Sequence, residues 1–189
     1  MIRIRRAAKS DAAEIGRVYV ETWQSTYAGI LPDSMLAQMS DVRQAAWWAR
    51  ALADPGEARG IFVAEDGEMG VVGFGSCGPV REAPEGLDGT ETRVGEVYTL
   101  YVEPDFQNQG LGRRLLDAMF RQLHADGYDC AVLWMLADNP NRFFYEGMGG
   151  QIVGAQRDHF SGAQVAEIAY AWRNLELPLV RRRLAPEQE

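Results

Sequence analysis

YTLYVEPDFQNQGLGRRLLDAMF, residues Tyr98 to Phe120, passes from an apolar strand through a turn at Glu103-Pro104-Asp105 and a polar loop to two glycines and a helix. Leu111, Leu115, Leu116, Met119, Phe120 and Leu123 recur at intervals of three or four, which gives the helix one apolar face. Just ahead of that face stands Gln107-Asn108-Gln109-Gly110-Leu111-Gly112. Residues without a Cβ let a ligand approach the backbone. The free N–H groups of the first helical turn, at the positive end of the helix dipole, suit an anionic group. The stretch therefore reads as a cradle for a pyrophosphate.

Three kinds of cradle share that outline, and spacing separates them. A P-loop needs Gly, four residues and then Gly-Lys-Ser/Thr, a string the sequence does not contain. A dinucleotide fingerprint needs a third glycine at position 115, where Leu115 stands. What remains is Gln107-x-x-Gly110-x-Gly112 after a strand ending Leu100-Tyr101-Val102-x-Pro104. This resembles the acetyl-CoA-binding motif of the GNAT superfamily of N-acetyltransferases, (Gln/Arg)-x-x-Gly-x-(Gly/Ala).

Outward from the motif, the period of the apolar residues sets the other elements. Upstream, Ile61–Ala64 and Val71–Gly75 flank Asp66-Gly67, a hairpin signal. Residues Arg81 to Thr92 have no period and form a loop carrying Glu82, Glu85, Asp88 and Glu91. At the N-terminus Ile2 and Ile4 alternate with arginines as a strand does. Ser10 and Asp11 offer caps to a helix reaching about Thr22. Thr22 to Pro32 reads as a loop region holding two aromatics, and a helical stretch from Asp33 to Leu52 is interrupted near Ser40. Downstream, Gly127 stops the central helix, and Ala131–Leu136 is a continuous apolar run, as in a strand buried on both faces. Asn139-Pro140 opens a helix containing Phe143, Phe144 and Tyr145. Two strands, Gln151–Arg157 and Val165–Asn174, follow around a turn at Ser161-Gly162. The order is that of an α+β (mixed α/β) protein. It is also the order of the GNAT fold. The resemblance, running from Ile2 to about Leu175, implies a mostly antiparallel central sheet of six to seven strands flanked by about four helices. One domain is expected over residues 1–177, with a polar tail at 178–189.

Composition narrows the function. A net charge of −8 and a pI near 4.9 argue against nucleic acid, which needs a clustered basic surface. No apolar run has the length of a membrane span, and the first residues lack the apolar core of a signal peptide. With only Cys77 and Cys130 no disulfide framework is implied, and a cytoplasmic location fits. His124 and His159 have no metal-ligand spacing, so no metal site is expected.

The resemblance implies acyl transfer from the thioester of acetyl-CoA to a primary amine by direct attack. An alkyl amine with a pKa near ~10.4 must first lose a proton. Glu96, at the start of the central strand, matches a glutamate that is a general base in several family members. The resemblance also implies that main-chain groups near Leu100, Tyr101 and Val102 pair with the pantetheine amides as an added strand would. The pyrophosphate would lie on the N–H groups from Asn108 to Arg113, through Gln109, Gly110, Leu111 and Gly112, with Gln107 a further cofactor contact, and Arg113 or Arg114 would add charge, Arg113 being preferred. The segment Asn139 to Gly150 corresponds to the family's Asn…Phe-Tyr-Glu segment, which implies Tyr145 as general acid to the departing thiolate and Phe144 as a cofactor contact. It departs from the commoner spacing by one residue, leaving Asn139 and Asn141 as alternative cofactor contacts. A covalent route through Cys77 is disfavoured, because the thiol ends an apolar strand with no histidine within ten residues.

For the acceptor, Trp23 and Tyr27 are expected as walls, with the Arg81–Thr92 loop and with His159 or Phe160. Aromatic faces and acidic groups suit a cationic amine. A small-molecule amine is favoured, and a polyamine, an aminoglycoside, an amino acid and a peptide N-terminus all stay open. Two rivals remain, a protein acetyltransferase and a catalytically silent acyl-CoA-binding regulatory protein. The resemblance also makes a homodimer an option.

Overall fold

A computed structural model describes residues 1–54, 56, 59–87, 93–160 and 163–176, without the side chains of 158–160 and 163. In chain order its regular elements are β1 (Arg3–Arg6), α1 (Ala12–Thr26), α2 (Asp33–Ala37), α3 (Asp41–Ala51), β2 (Ile61–Asp66), β3 (Gly70–Pro79) and β4 (Val94–Val102). They continue with α4 (Leu111–Ala125), β5 (Cys130–Leu136), α5 (Arg142–Gly147), β6 (Gln151–Phe160) and β7 (Ala163–Trp172). The strands form one seven-stranded sheet in the order β1-β2-β3-β4-β5-β7-β6. Every neighbouring pair is antiparallel except β4 and β5. The expected α+β sheet is thus present, at the upper end of its strand count. The turn at Ser161-Gly162 and the tail at 178–189 lie outside the described residues.

Helices cover both faces of the sheet. The apolar stripe of α4 buries Leu115, Leu116, Met119 and Leu123 completely, against Val97, Leu133 and Tyr170. On the opposite face Ile15 and Val18 of α1 and Trp48 of α3 pack on Val63, Val71 and Phe74. The α1 and α3 backbones meet at Gly16, where an added Cβ would stand 2.6 Å from the nitrogen of Ala45. Among the described residues no helix is long and apolar enough to cross a membrane.

Two boundaries next to the site differ from the sequence reading, besides shifts of a few residues at strand ends such as β6 to Phe160 and β7 over Ala163–Trp172. The first helix continues one turn beyond Thr22, to Thr26, so Trp23 is helical and Tyr27 caps the helix. Stacking of Trp23 between Tyr19 and Tyr27, with ring centroids 5.4 and 4.8 Å away, overrides the weak helix preference of Thr22, Trp23 and Thr26. In the later helix the regular turn begins at Arg142 rather than at Pro140, because Asn139 Oδ1 accepts the Asn141 N–H (2.9 Å) and closes a separate turn first.

The feature that positions the site is a fork in the sheet. Strand β4 is parallel to β5 only over Val94↔Cys130, Gly95↔Ala131 and Glu96↔Val132. Beyond Glu96 it continues to Val102 along β3 alone. The departure coincides with a bulge. Ser76 pairs with Thr99 and Cys77 with Val97, so Tyr98 is an extra residue on β4. The bulge inverts the facing of the strand: Val97 before it and Leu100 and Val102 after it all pack toward α4. Tyr101 instead packs with Phe74 on the α1 side.

Candidate active site

A cleft of about 360 Å³ fills the fork. Thr99 to Val102 of β4 form one wall and Leu133 to Met135 of β5 the other. Because the strands have separated, the cleft passes through the sheet. On the α4 side it is closed by the loop from Phe106, the start of α4, and Phe144 and Tyr145 of α5. On the α1 side Thr22, Thr26 and Tyr27 close it.

The loop end is shaped for an anion. Asn108 and Gly110 both take positive φ, 59° and 79°, which turns the chain sharply into α4. The first turn of α4, where helical N–H groups lie at the positive end of the dipole, is at Leu111, Gly112 and Arg113, and these residues line the cleft. At Gly112 an added Cβ would lie 3.2 Å from the Phe144 ring, so a glycine lets α5 close over the helix start. Gln107 lines the cleft and its Nε2 donates to the Val102 carbonyl at 2.9 Å, which fixes the loop to the end of β4. Gln109 does not reach the cleft lining; its Nε2 donates to Asp105 O at 3.2 Å. Arg113 is at the cleft, whereas Arg114 donates to the carbonyl of Ile2.

Asn139, Asn141, Phe144 and Tyr145 all reach the cleft. The Asn139 side chain is already engaged at both ends, donating to the Tyr27 hydroxyl at 3.1 Å and accepting the Asn141 N–H. Asn141 has no side-chain capping role. Tyr145 is 8% exposed, among Phe144, Tyr170 and Trp172. Burial raises its pKa, and the neighbouring Tyr27 phenol adds to the effect. It is therefore a protonated hydrogen-bond donor at any physiological pH.

The two other expected side chains fall elsewhere. Glu96 does not line the cleft; it is 1% exposed, on the face opposite Val97. One carboxylate oxygen accepts the Arg81 backbone N–H at 2.9 Å, and the other accepts Nε and Nη2 of the same residue. The guanidinium also lies 4.7 Å over the ring of Tyr98, the bulge residue, whose hydroxyl donates to Pro79 O. Trp23 sits behind Tyr27 and lines a separate open groove of about 560 Å³ between α1, α2 and α3. Glu82 and Glu85 are exposed and not in the cleft wall. Asp88 and Glu91 and the side chains of His159 and Phe160 lie outside the described residues. Cys77 is a core residue: its Sγ is 3.7 Å from Met119 O, and burial pushes its pKa up to about 12, so it offers no thiolate. No group of three or more metal-ligating side chains occurs among the described residues.

Sequence reasoning missed Thr22 and Thr26. They are four residues apart, and a helix continued through Thr26 would have placed them on one face. Ending the helix near Thr22 hid that relation.

Comparison with known proteins agrees with this geometry. The model of the Acetyltransferase (GNAT) family matches residues 15–149. The N-acetyltransferase YuaI of Bacillus subtilis, itself uncharacterised, is 31% identical over 176 residues, 93% of this chain and 95% of its own. Among solved structures, ribosomal-protein-alanine N-acetyltransferase from Brucella melitensis superposes with a TM-score of 0.67 at 20% identity, over 90% of this chain and 99% of its own. PaiA N-acetyltransferase from Thermoplasma acidophilum, solved with coenzyme A, gives 0.61 at 17% identity over 91% and 99%. At such identities the structural likeness bears on the fold alone.

Proposed function

The chain belongs to the GNAT family of acetyltransferases, and from that premise we propose that it transfers the acetyl group of acetyl-CoA to the primary amine of a small molecule by direct attack. The observation that carries the proposal is the fork. Beyond Glu96 the edge of β4 that faces β5 has no strand partner among the described residues, and the start of α4 opens into the same cleft. An extended chain of amides ending in a pyrophosphate fits such a pair of features: strand-like pairing along Leu100 to Val102, and first-turn N–H groups for the phosphates.

Acetyl-CoA would supply the acyl group as a thioester; a protonated acceptor first loses one proton to become the neutral nucleophile, the C–N bond then forms as charge develops on the carbonyl oxygen, and as the C–S bond breaks the second proton leaving nitrogen balances the one gained by the thiolate. The chain's own groups act around that exchange. N–H groups of Asn108 to Arg113 hold the diphosphate, with the Arg113 guanidinium beside them. A β4 N–H in the fork meets the carbonyl oxygen as charge develops. Tyr145 donates a hydrogen bond to the departing sulfur. Its raised pKa makes complete proton transfer more uphill than for a free phenol, so its chief service is as a donor. Glu96 can draw the amine proton, through water, when the Arg81 contact opens. With that contact closed, solvent takes the proton. Cys77 is left out, since an inert buried thiol cannot form the acyl-enzyme of a covalent route.

The small-molecule acceptor is favoured by the partly enclosed cleft with aromatic walls; a peptide or protein N-terminus is the second possibility. Calorimetry with CoA, followed by thiol release from acetyl-CoA against an amine panel, tests the proposal. Heat on binding with amine-dependent release is expected. Binding without release from any amine would make the chain a silent CoA-binding protein, and no binding would remove the cofactor assignment.

A further inference from the structure

A hydrogen bond that joins the two sides of the cleft can have only one polarity. Asn139, just after β5, and Tyr27, at the end of α1, are both 7% exposed and both line the cleft. The Asn141 backbone N–H can only donate, so the Asn139 atom that it meets at 2.9 Å is the carbonyl oxygen Oδ1. That fixes the orientation of the amide and leaves Nδ2 facing the Tyr27 hydroxyl at 3.1 Å. An amide nitrogen can only donate, so the phenol oxygen accepts there and its own proton is directed elsewhere. Leu31, Leu36, Leu136 and Val165 pack around Tyr27 and offer that proton no acceptor side chain. Burial, and after it the negative charge of Glu167, keep the phenol protonated against the opposing effect of the Asn139 bond. Glu167 is paired with Leu136 across β7 and β5, and its Oε2 accepts Gln156 Nε2 at 3.0 Å. Tyr145 enters the cleft from the α4 side, close enough for Tyr27 to raise its pKa.

We propose that Tyr27 is a catalytic residue, a second phenol that converges with Tyr145 on the departing sulfur, and that Asn139 is the positioning residue that frees its proton for that bond. This rests on the acetyltransferase reading above. As the C–S bond breaks, its electron pair goes to sulfur, and the thiolate accepts one hydrogen bond from each face of the sheet. The second proton leaving the amine travels to that sulfur, and Tyr27 keeps its own proton throughout. Two donors share a charge that Tyr145 alone, with its raised pKa, neutralises poorly. Tyr27 is then a wall of the thioester and not of the acceptor, the role expected from the sequence. Asn139 serves the cofactor through Tyr27 and not by a contact of its own.

The test uses the full chain with CoA that carries 13C at the carbon next to sulfur, whose NMR shift follows ionisation of the bound thiol. In the wild type that thiol should titrate below the ordinary thiol pKa of ~8.5. Tyr27→Phe should raise it by about one unit, the effect of one hydrogen bond lost by a charged group. Asn139→Asp keeps an oxygen for the Asn141 N–H but reverses the other bond, so that the Tyr27 proton goes to the carboxylate; it should raise the thiol pKa as much. Added to Tyr27→Phe, it should raise it no further. With saturating acetyl-CoA and the amine that the wild type acetylates fastest, kcat should fall about tenfold in each variant while the KM for acetyl-CoA holds. A bound thiol at ~8.5 in the wild type, or one with the same pKa in Tyr27→Phe, would overturn the proposal even if kcat fell, since a damaged fold slows turnover without changing thiol acidity. A further rise in the double variant would show the new charge acting directly and overturn the role of Asn139. Release with no amine from a wild type whose bound thiol is acidified would overturn the acetyltransferase reading alone, and no binding of CoA would overturn both.

Discussion

Replacing Arg81 tests what Glu96 is for. The Glu96 side chain is 1% exposed and that of Arg81 is 68% exposed, so the pair has one dry end and one wet end. In Arg81→Ala the carboxylate keeps the backbone N–H of residue 81 and loses Nε and Nη2. Breaking a fully buried pair costs about 3–5 kcal/mol, and losing one hydrogen bond to a charged group about 1.5–3 kcal/mol. Solvent around the guanidinium screens the interaction, which places the loss near ~2 kcal/mol. For a chain of this size that lowers the melting temperature by about 4–8 °C. Glu96→Gln removes the charge but keeps the shape, and the freed guanidinium is already mostly in water; a loss of ~1 kcal/mol, or about 2–4 °C, is expected. The double variant should lose less than the sum, because the two residues share one interaction. Calorimetric melting of all three gives the stability cycle, and thiol release on the same samples gives the chemistry. If Glu96 serves as general base, Glu96→Gln lowers kcat by about 10²–10⁴, and Arg81→Ala, which frees the carboxylate, does not follow it down. If the pair mainly holds the bulge, both variants lose activity by a few-fold in step with their melting temperatures. An Arg81→Ala protein that melts with the wild type would refute the clamp itself.

Three further outcomes are expected. Tyr145→Phe should lower kcat at least tenfold while CoA affinity, read by calorimetry, holds; unchanged turnover would remove the phenol from the mechanism. Cys77→Ala should retain turnover, and the native thiol should resist iodoacetamide at neutral pH, since burial pushes its pKa up to about 12; rapid alkylation with loss of activity would revive a covalent route. Hydrogen bonds from Arg5 and then Arg3 lower the pKa of Glu65 from 4.5 to about 2. Its contribution to stability is therefore complete above pH 4.5 and lost as pH falls toward 2. Melts from pH 5.5 to 2.5 should show Glu65→Gln converging on the wild type at the acid end, and curves that stay parallel would contradict the linkage.

What the sequence disclosed was local. Gly110 and Gly112 before a 3.6-residue apolar stripe define the helix start and its cradle within a dozen residues, and the structure has them at the cleft. The buried run at Ala131–Leu136, whose strand begins one residue earlier, and the core character of Cys77 were legible for the same reason. The bulge was not. Tyr98 through Val102 are all strand formers, and the extra residue is created by a distant partner, the β3 segment Ser76-Cys77-Gly78, with Gly78 so close to Tyr98 that a Cβ there would stand 2.7 Å from the phenol. Likewise Arg81 read as part of a loop expected to attract amines, and nothing local reveals that its guanidinium turns inward to Glu96. Thr22 was obscured by a helix end that tertiary stacking, not propensity, extends.

The odd residue at Tyr98 also limits how the molecule can change. On either side of it β4 shows opposite parity to the same neighbours, so the strand counts correctly only with that residue present. Shortening β4 by one would not simply seal the gap between the sheets' two halves. It would rotate Leu100 and Val102 out of the α4 interior and drive Tyr101 into it, turning a loss of reactivity into a loss of folding. Variation in length is therefore confined to the connections at the strand's two ends, and the cradle and its bent strand can only be transplanted together.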